Sequence, residues 1–295
     1  MDIRVLRYFL MVAQEESLSR AAERLFLSQP TLSRQIHELE TELGVTLLKR
    51  TNRNVILTSD GQRLRKRAQE IVELADKTRQ EFAVPTGEVA GDIYIGGGET
   101  HVMRYIAQTA VALRREYPDI RFHLHSGNAD DVLERLDKGL LDFGVVIEPT
   151  DLLKYDFLRL PGRDTWGLLM RRDHPLAQKS FITPTDLRNT QLLISRQSQV
   201  LRDFSVWLGQ NIDPLQIVGT YNLLFNAAVM VEQGLGCALA LDHLVDTMDV
   251  RPLCFRPLSP TSQVALNLVY KKQQAFSPAA EAFLQIVKAD CGQVS

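Results

Sequence analysis

The sequence predicts a two-part chain: a small helix-rich head running into one long helix, then an α/β body built from two similar sets of strands and helices. Three observations carry this. Apolar residues in the first 43 positions recur at spacings of three and four, as a helix stripe does. Positions 64–82 keep an alternating four–three spacing, with charge elsewhere on the helix. Beyond Gly91, short β-rich runs alternate with helical ones. A chain of 295 residues, 45% of them hydrophobic, has the size and composition for two or more domains.

In the head, Leu6, Phe9, Leu10 and Ala13 form a first stripe. Leu18, Ala21, Ala22 and Leu25 form a second, and Leu32, Ile36, Leu39 and Leu43 a third. Phe26, Leu27 and Ser28 fit neither neighbouring register, so they read as a tight turn, with Ser28 as N-cap. Pro30 falls in the first helical turn, where its missing N–H costs nothing. With the third stripe inward, a rotation of about 100° per residue points Pro30, Arg34, His37 and Thr41 outward, flanked by Thr31 and Ser33. Two helices joined by a short turn, the second with a small polar outer face, describe a helix-turn-helix that enters the DNA major groove. The same pattern also describes an ordinary helical hairpin, and the turn lacks the frequent glycine. LLKRTNRNVILTSDG (47–61) reads as two short strands around a basic tip, with Lys49, Arg50 and Arg53 bracketing Thr51 and Asn52. Such a hairpin is a wing suited to phosphate or minor-groove contact. Residues 1–67 carry 12 Lys and Arg against 8 Asp and Glu, whereas the rest carry 22 against 28. A basic head on an acidic body suits a nucleic-acid partner at one end.

In residues 59–84, Leu64, Ala68, Ile71, Ala75, Thr78 and Phe82 follow heptad spacing. So narrow a stripe must be buried, either against the chain's own body or against its twin in a second subunit. Pro85, Gly87 and Gly91 in VPTGEVAG then mark a hinge.

The order AAERLFLSQPTLSRQIHELETELGVTLLKRTNRNVILTSDG resembles the winged helix-turn-helix of the LysR-type transcriptional regulators over most of the first sixty residues. The resemblance implies an effector-responsive, homo-oligomeric bacterial regulator, a dimer or the tetramer the family favours. Its partners would be double-stranded DNA with an approximately two-fold symmetric site, a small-molecule effector and, as a further admitted partner, RNA polymerase. The DNA-contacting residues would be Gln29, Pro30, Thr31, Ser33 and Arg34 on the helix, with Arg50 and Arg53 on the wing. It divides the chain into a winged helix-turn-helix (1–58), a linker helix for dimerisation (59–86), a hinge (87–91) and an effector-binding domain (92–295). That domain would have the two-lobed, periplasmic-binding-protein-like α/β fold, with lobe I at 92–161 and 266–295, lobe II at 162–265, and the ligand between them.

Ligands of α/β sheets sit at the carboxyl ends of strands, where helix N-termini offer N–H groups. The first strand of the body ends in Gly96-Gly97-Gly98, followed by Glu99, Thr100 and His101; Thr100 matches a position where the family commonly places a ligand-touching hydroxyl. The corresponding edge of the second lobe offers Ser195, Arg196 and Gln197, with Thr220 and Asn222 after IVGTY. Ser126, Asn128 and Glu148 are further candidates, and each could instead cap a helix or face solvent. Glu99 is either a favourable first-turn charge or a selector for a cationic or hydroxylated ligand.

Other classes fit less well. The glycine run does not complete G-x-G-x-x-G, because position 101 is histidine, and neither G-K-[ST] nor G-x-S-x-G occurs, so no enzyme is expected. His123 and His125 share a strand face but lack an obvious third ligand, so no metal and no cofactor is expected beyond a small-molecule effector. A solute-binding protein would want a signal peptide, which the N-terminus does not resemble, and a non-specific nucleoid protein would not need the body. No stretch is long enough to span a membrane. Cys237, Cys254 and Cys291 are scattered, as thiols in a reducing cytoplasm would be.

Overall fold

The computed structural model describes the chain except residues 51–53, 86, 149, 151, 210–215, 249 and 293–295; at 50, 198–201, 203 and 292 it describes the backbone alone. The chain forms two compact units, Met1–Ala83 and Val84–Ser295.

The first unit is built on α1 (Ile3–Glu15), α2 (Leu18–Arg24) and α3 (Gln29–Leu43), with a hairpin of β1 (Leu48–Arg50) and β2 (Val55–Leu57), and then α4 (Ser59–Glu81). Each of the first three helices opens on a side-chain cap, from Asp2, Ser17 and Ser28. Ser28 Oγ accepts the Thr31 N–H at 3.3 Å, and a cap of this kind is worth ~1 kcal/mol. The turn between α2 and α3 is closed without glycine. Phe26 takes the left-handed conformation at φ 55° with 96% of its surface exposed, so the strained residue is one whose side chain meets no neighbour. Leu6, Phe9, Val12, Leu32, Ile36 and Leu39 form the core under these helices. Lys49 pairs with Ile56 across the hairpin, and the tip residues Thr51, Asn52 and Arg53 lie outside the described residues. A Cβ on Gly61 would lie 2.2 Å from the Leu47 carbonyl oxygen, so only glycine lets α4 start against the hairpin.

The seam expected on α4 is corrected at its first two positions. Ala68 is fully buried and Leu64 packs beside it, both against the unit's own core, with Val72 continuing that line one turn on. A side chain with no free surface, as at Ala68, cannot also serve a second subunit. Ile71 and Phe82 are exposed, as is Leu74, which the heptad spacing passes over. Thr78 spends its hydroxyl on the Leu74 carbonyl, at 2.9 Å. The stripe is therefore divided along its length, packed on the core at Leu64 and Ala68 and open at Ile71, and the helix ends at Glu81, short of the expected residue 86.

In the second unit, lobe I has the sheet order β4-β3-β5-β13-β6, formed by β3 (Gly91–Gly97), β4 (Ile120–Ser126), β5 (Phe143–Ile147), β6 (Tyr155–Arg159) and β13 (Leu266–Lys271). The first three are parallel, and β13 returns antiparallel between β5 and β6. Helices α5 (Met103–Glu116), α6 (Ala129–Asp137) and α9 (Pro278–Gly292) cover it. Lobe II has the order β11-β7-β10-β8-β9, from β7 (Asp164–Arg171), β8 (Leu192–Ser195), β9 (Ile217–Tyr221), β10 (Cys237–Leu241) and β11 (Leu253–Pro257), with the short β12 (Gln263–Val264) on β7. Here β8, β9 and β10 run parallel, and α7 (Ser198–Leu208) and α8 (Leu224–Glu232) pack on the sheet. The alternation of apolar runs passes over β6, β11 and β12. The first two are edge strands, where charged residues and a closing proline are tolerated, and the third is two residues long.

Candidate functional site

In the first unit, α3 turns Leu32, Ile36 and Leu39 inward, which leaves Pro30, Thr31, Arg34, His37 and Thr41 exposed along the other side. Gln29 and Ser33 are half-buried at its margins. Arg34 is held loosely, its Nε 3.6 Å from a Glu38 carboxylate oxygen one turn on, in a pair open to water. Such an exposed pair is worth at most about 1 kcal/mol, so Arg34 is readily surrendered to another acceptor. Lys49 is exposed on β1; the side chain of Arg50 and the whole of Arg53 fall outside the described residues.

In the second unit a cleft lies where parallel strands from both lobes end. From lobe I come Gly98 and Glu99 after β3, Asn128 after β4 and Ile147 closing β5. Lobe II adds Ser195 and Gln197 after β8, Tyr221 and Asn222 at the end of β9, and Leu241 and Leu244 at and beyond the end of β10, with Trp166 of β7. The space continues past Thr100, His125, Ser126 and His243. Of the eight residues expected to touch a ligand, Thr100, Ser195, Gln197 and Asn222 line this space, and so do the further candidates Ser126 and Asn128.

The other four do not line it. Glu148 is held in lobe I, 2.7 Å from Arg159 and accepting from the Asn267 amide at 3.0 Å. The Arg196 N–H donates to the Tyr221 carbonyl at 2.9 Å, and its side chain is exposed. Thr220 is exposed on β9, where the two-residue period turns it away from the face that Tyr221 presents. His101 lies against His243, ring centroids 4.8 Å apart. The glycine run divides in the same way: a Cβ on Gly96 would meet Leu141 at 2.5 Å, so packing inside lobe I requires a glycine there, whereas one on Gly97 would press on Val145 at 3.3 Å. A Cβ on Gly98 would make only an ordinary contact, 3.7 Å from the Gly127 carbonyl oxygen.

Two of the bonds that cross from lobe to lobe bear on this space. Thr100 donates its hydroxyl to Asp164, which is fully buried at the start of β7. Burial, reinforced by the nearby charge of Asp242, pushes the Asp164 carboxyl above its ordinary range, against the pull of the Thr100 bond. The second Asp164 oxygen is buried with no hydrogen-bond partner. Thr100 Oγ also accepts the Val102 N–H at 3.1 Å at the start of α5. The hydroxyl expected to meet a ligand is therefore engaged within the protein.

The other crossing bond runs from the Leu224 N–H, in the first turn of α8, to Glu99 Oε2. Leu223 at the cap position has no side chain able to accept, so the cap comes from the other lobe. A carboxylate at a helix N-terminus is worth about 0.3–1 kcal/mol, and up to ~2 where partly buried. Trp166, Tyr221 and His243 were not anticipated. Tyr221 ends a strand already singled out, and the alternation along IVGTY would have selected it over Thr220. Nothing local marks Trp166 or His243. His123 stacks on Tyr94 at 4.6 Å and meets the Asp92 carboxylate at 2.8 Å. Among the described residues no group of three or more His, Cys, Asp and Glu could hold a metal ion.

A head with an exposed recognition-type helix beside a hairpin, and a two-lobed α/β body with a cleft of apolar walls and a few polar groups at its strand ends, together define a ligand-responsive DNA-binding regulator. Residues 3–62 match the family model for bacterial regulatory helix-turn-helix proteins of the lysR family, and residues 86–292 match the LysR substrate binding domain. The chain belongs to the LysR family of transcriptional regulators, DNA-binding proteins with an effector domain that act as homo-oligomers. It is 31% identical over 294 residues to the HTH-type transcriptional regulator YfeR of Shigella flexneri, covering 97% of this chain and 93% of that protein. It is 34% identical over 207 residues to the dual regulator OxyR of Escherichia coli, covering 69% and 66%. Its fold is similar to that of CbnR, a LysR family transcriptional regulator, at TM-score 0.78 and 21% identity over 99% of both chains. It is also similar to full-length CbnR complexed with its target DNA, at TM-score 0.76 and 21% identity, covering 98% and 99%. No helix of the described residues is long and apolar enough to cross a membrane, and regulators of this family are generally not enzymes.

Proposed function

We propose that the chain reads an approximately two-fold symmetric DNA site through Gln29, Pro30, Thr31, Ser33 and Arg34, with Arg50 and Arg53 gripping phosphate, and that a small molecule in the interlobe cleft controls that binding. The observation that carries the first part is the exposed polar face of α3, whose apolar face is committed to the core. The cleft reading is supported by convergence of strand ends from both lobes on one space, lined by apolar side chains and a few polar groups. On this reading the protein is a cytoplasmic regulator without catalytic activity, cofactor or metal. Two chains associate through the later part of α4 and its C-cap, where Ile71, Leu74 and Phe82 expose apolar surface and Ala75 lies at its margin. The test combines footprinting of the full-length protein on DNA upstream of its own gene with a thermal-shift screen of metabolites, since a ligand that binds the folded state raises apparent stability. A protected palindromic site whose occupancy responds to a stabilising compound is the expected result.

Several relatives are named hydrogen peroxide-inducible genes activators, among them one from Dickeya chrysanthemi at 31% identity. Peroxide sensing through a thiolate is disfavoured here. Cys237 and Cys254 are each 2% exposed, and burial pushes the Cys237 thiol up to about 12 and raises that of Cys254. Burial also raises the half-buried Cys291.

A further inference from the structure

We propose that the molecule held between the lobes carries a positive charge, an ammonium or guanidinium group, with Glu99 as its counter-ion and the rings of Trp166 and Tyr221 beside it. This rests on the reading of the cleft as the effector site.

Among the described lining residues Glu99 is the one carboxylate, and none is a lysine or arginine. A ligand carboxylate entering here would meet a like charge with no lysine or arginine to offset it, only the imidazoles of His125 and His243 farther along the space. The N-terminus of α8, which would otherwise attract an anion, already holds the chain's own carboxylate through the Leu224 N–H. That bond engages Oε2, and a carboxylate accepts at both oxygens, so Glu99 can keep its cap and still receive a donor from a ligand. Trp166 and Tyr221 line the same space as Glu99, and aromatic faces attract cations. The Tyr221 hydroxyl is turned inward to the Leu239 carbonyl, so its ring is fixed at the end of β9. Ser195, Gln197 and Asn222 contribute neutral polar groups to the wall, which orient a ligand without changing the charge balance.

The experiment uses the full-length protein and three probes that share a ring and differ in charge: benzylamine, benzoate and benzyl alcohol, followed by calorimetry and thermal melting. Benzylamine is expected to bind about tenfold more tightly than benzoate. Glu99→Gln retains an acceptor for the Leu224 N–H and is expected to bring the two within about threefold of each other. If that variant does not fold, Trp166→Leu replaces it, and is expected to weaken benzylamine more than benzyl alcohol. Equal or tighter binding of benzoate by the wild-type protein, or a benzylamine preference that survives these substitutions, overturns the proposal. Asn222→Trp, at an exposed position, fills the cleft and separates this failure from the larger one. Where the charge preference has failed and this substitution still abolishes the binding of benzoate or benzyl alcohol, the cleft stands and the charge assignment alone falls. If it leaves all binding unchanged, or no probe binds the wild-type protein, both readings fall.

Discussion

The hydroxyl of Thr100, at the end of the first strand of lobe I, donates to the buried carboxylate of Asp164, at the entry to lobe II. A side chain that lines the cleft thus also braces one lobe against the other. Thr100→Val keeps the shape and removes the donor, leaving a buried carboxylate whose other oxygen already lacks a partner. The expected cost is about 1–3 kcal/mol in urea unfolding, restored by Thr100→Ser. Unchanged stability in Thr100→Val would show that the bond contributes nothing.

Asp164 also sets a pH dependence. Its folded-state pKa lies above the ordinary value of 3.8, so between those two values the folded chain holds a proton that the unfolded chain has lost. Its contribution is therefore present below the ordinary value and is lost as pH rises through the raised one. Asp164→Asn is expected to reduce this fall with pH, read from denaturation midpoints at a series of pH values. A slope identical to that of the wild-type protein would contradict the burial argument.

The two basic contacts on the first unit separate by salt and by sequence. Arg34→Ala is expected to cost about 1–3 kcal/mol per half-site on the operator and little on scrambled DNA. Lys49→Ala is expected to weaken both equally and to lower the salt dependence by about one phosphate's worth. Equal losses on both DNAs for Arg34→Ala would make it a backbone contact.

The open and packed positions of α4 give opposite phenotypes. Ile71→Glu with Leu74→Glu charges the open part and is expected to shift sedimentation toward the monomer while the first unit stays folded. Ala68→Leu adds volume at a position with no free surface and is expected to cost roughly 1–3 kcal/mol in stability. A folded, undissociated double mutant would move the subunit contact elsewhere.

The buried thiols predict chemical inertness. At neutral pH maleimide should label Cys237 and Cys254 far more slowly than a small-molecule thiol, with rates that rise at alkaline pH or on unfolding. Fast stoichiometric labelling of the native protein at either position would show local opening.

The helices of the first unit were legible because their causes are local. The four-residue stripes, the Ser28 cap and the placement of Pro30 each involve residues within one or two turns, and together they require that Arg34 and Thr41 face outward. The strand ends facing the cleft were legible for a similar reason, since parallel strands carry their own apolar runs. What the sequence could not express was which partner an exposed-looking group finds across a hundred residues. Leu64 and Ala68 obey a heptad, yet the tertiary packing of α1 against α4 turns them inward and leaves Leu74 outside. Glu148 looks available until Arg159 and Asn267 are folded beside it. Thr100 and Asp164 are 64 positions apart, and Glu99 and Leu224 are 125 apart. Periodicity specifies the direction of a side chain within its own element, and so determined the two-part architecture and the recognition face. Burial, charge pairing and capping across the lobes depend on how separate elements meet, and only the tertiary structure decides them.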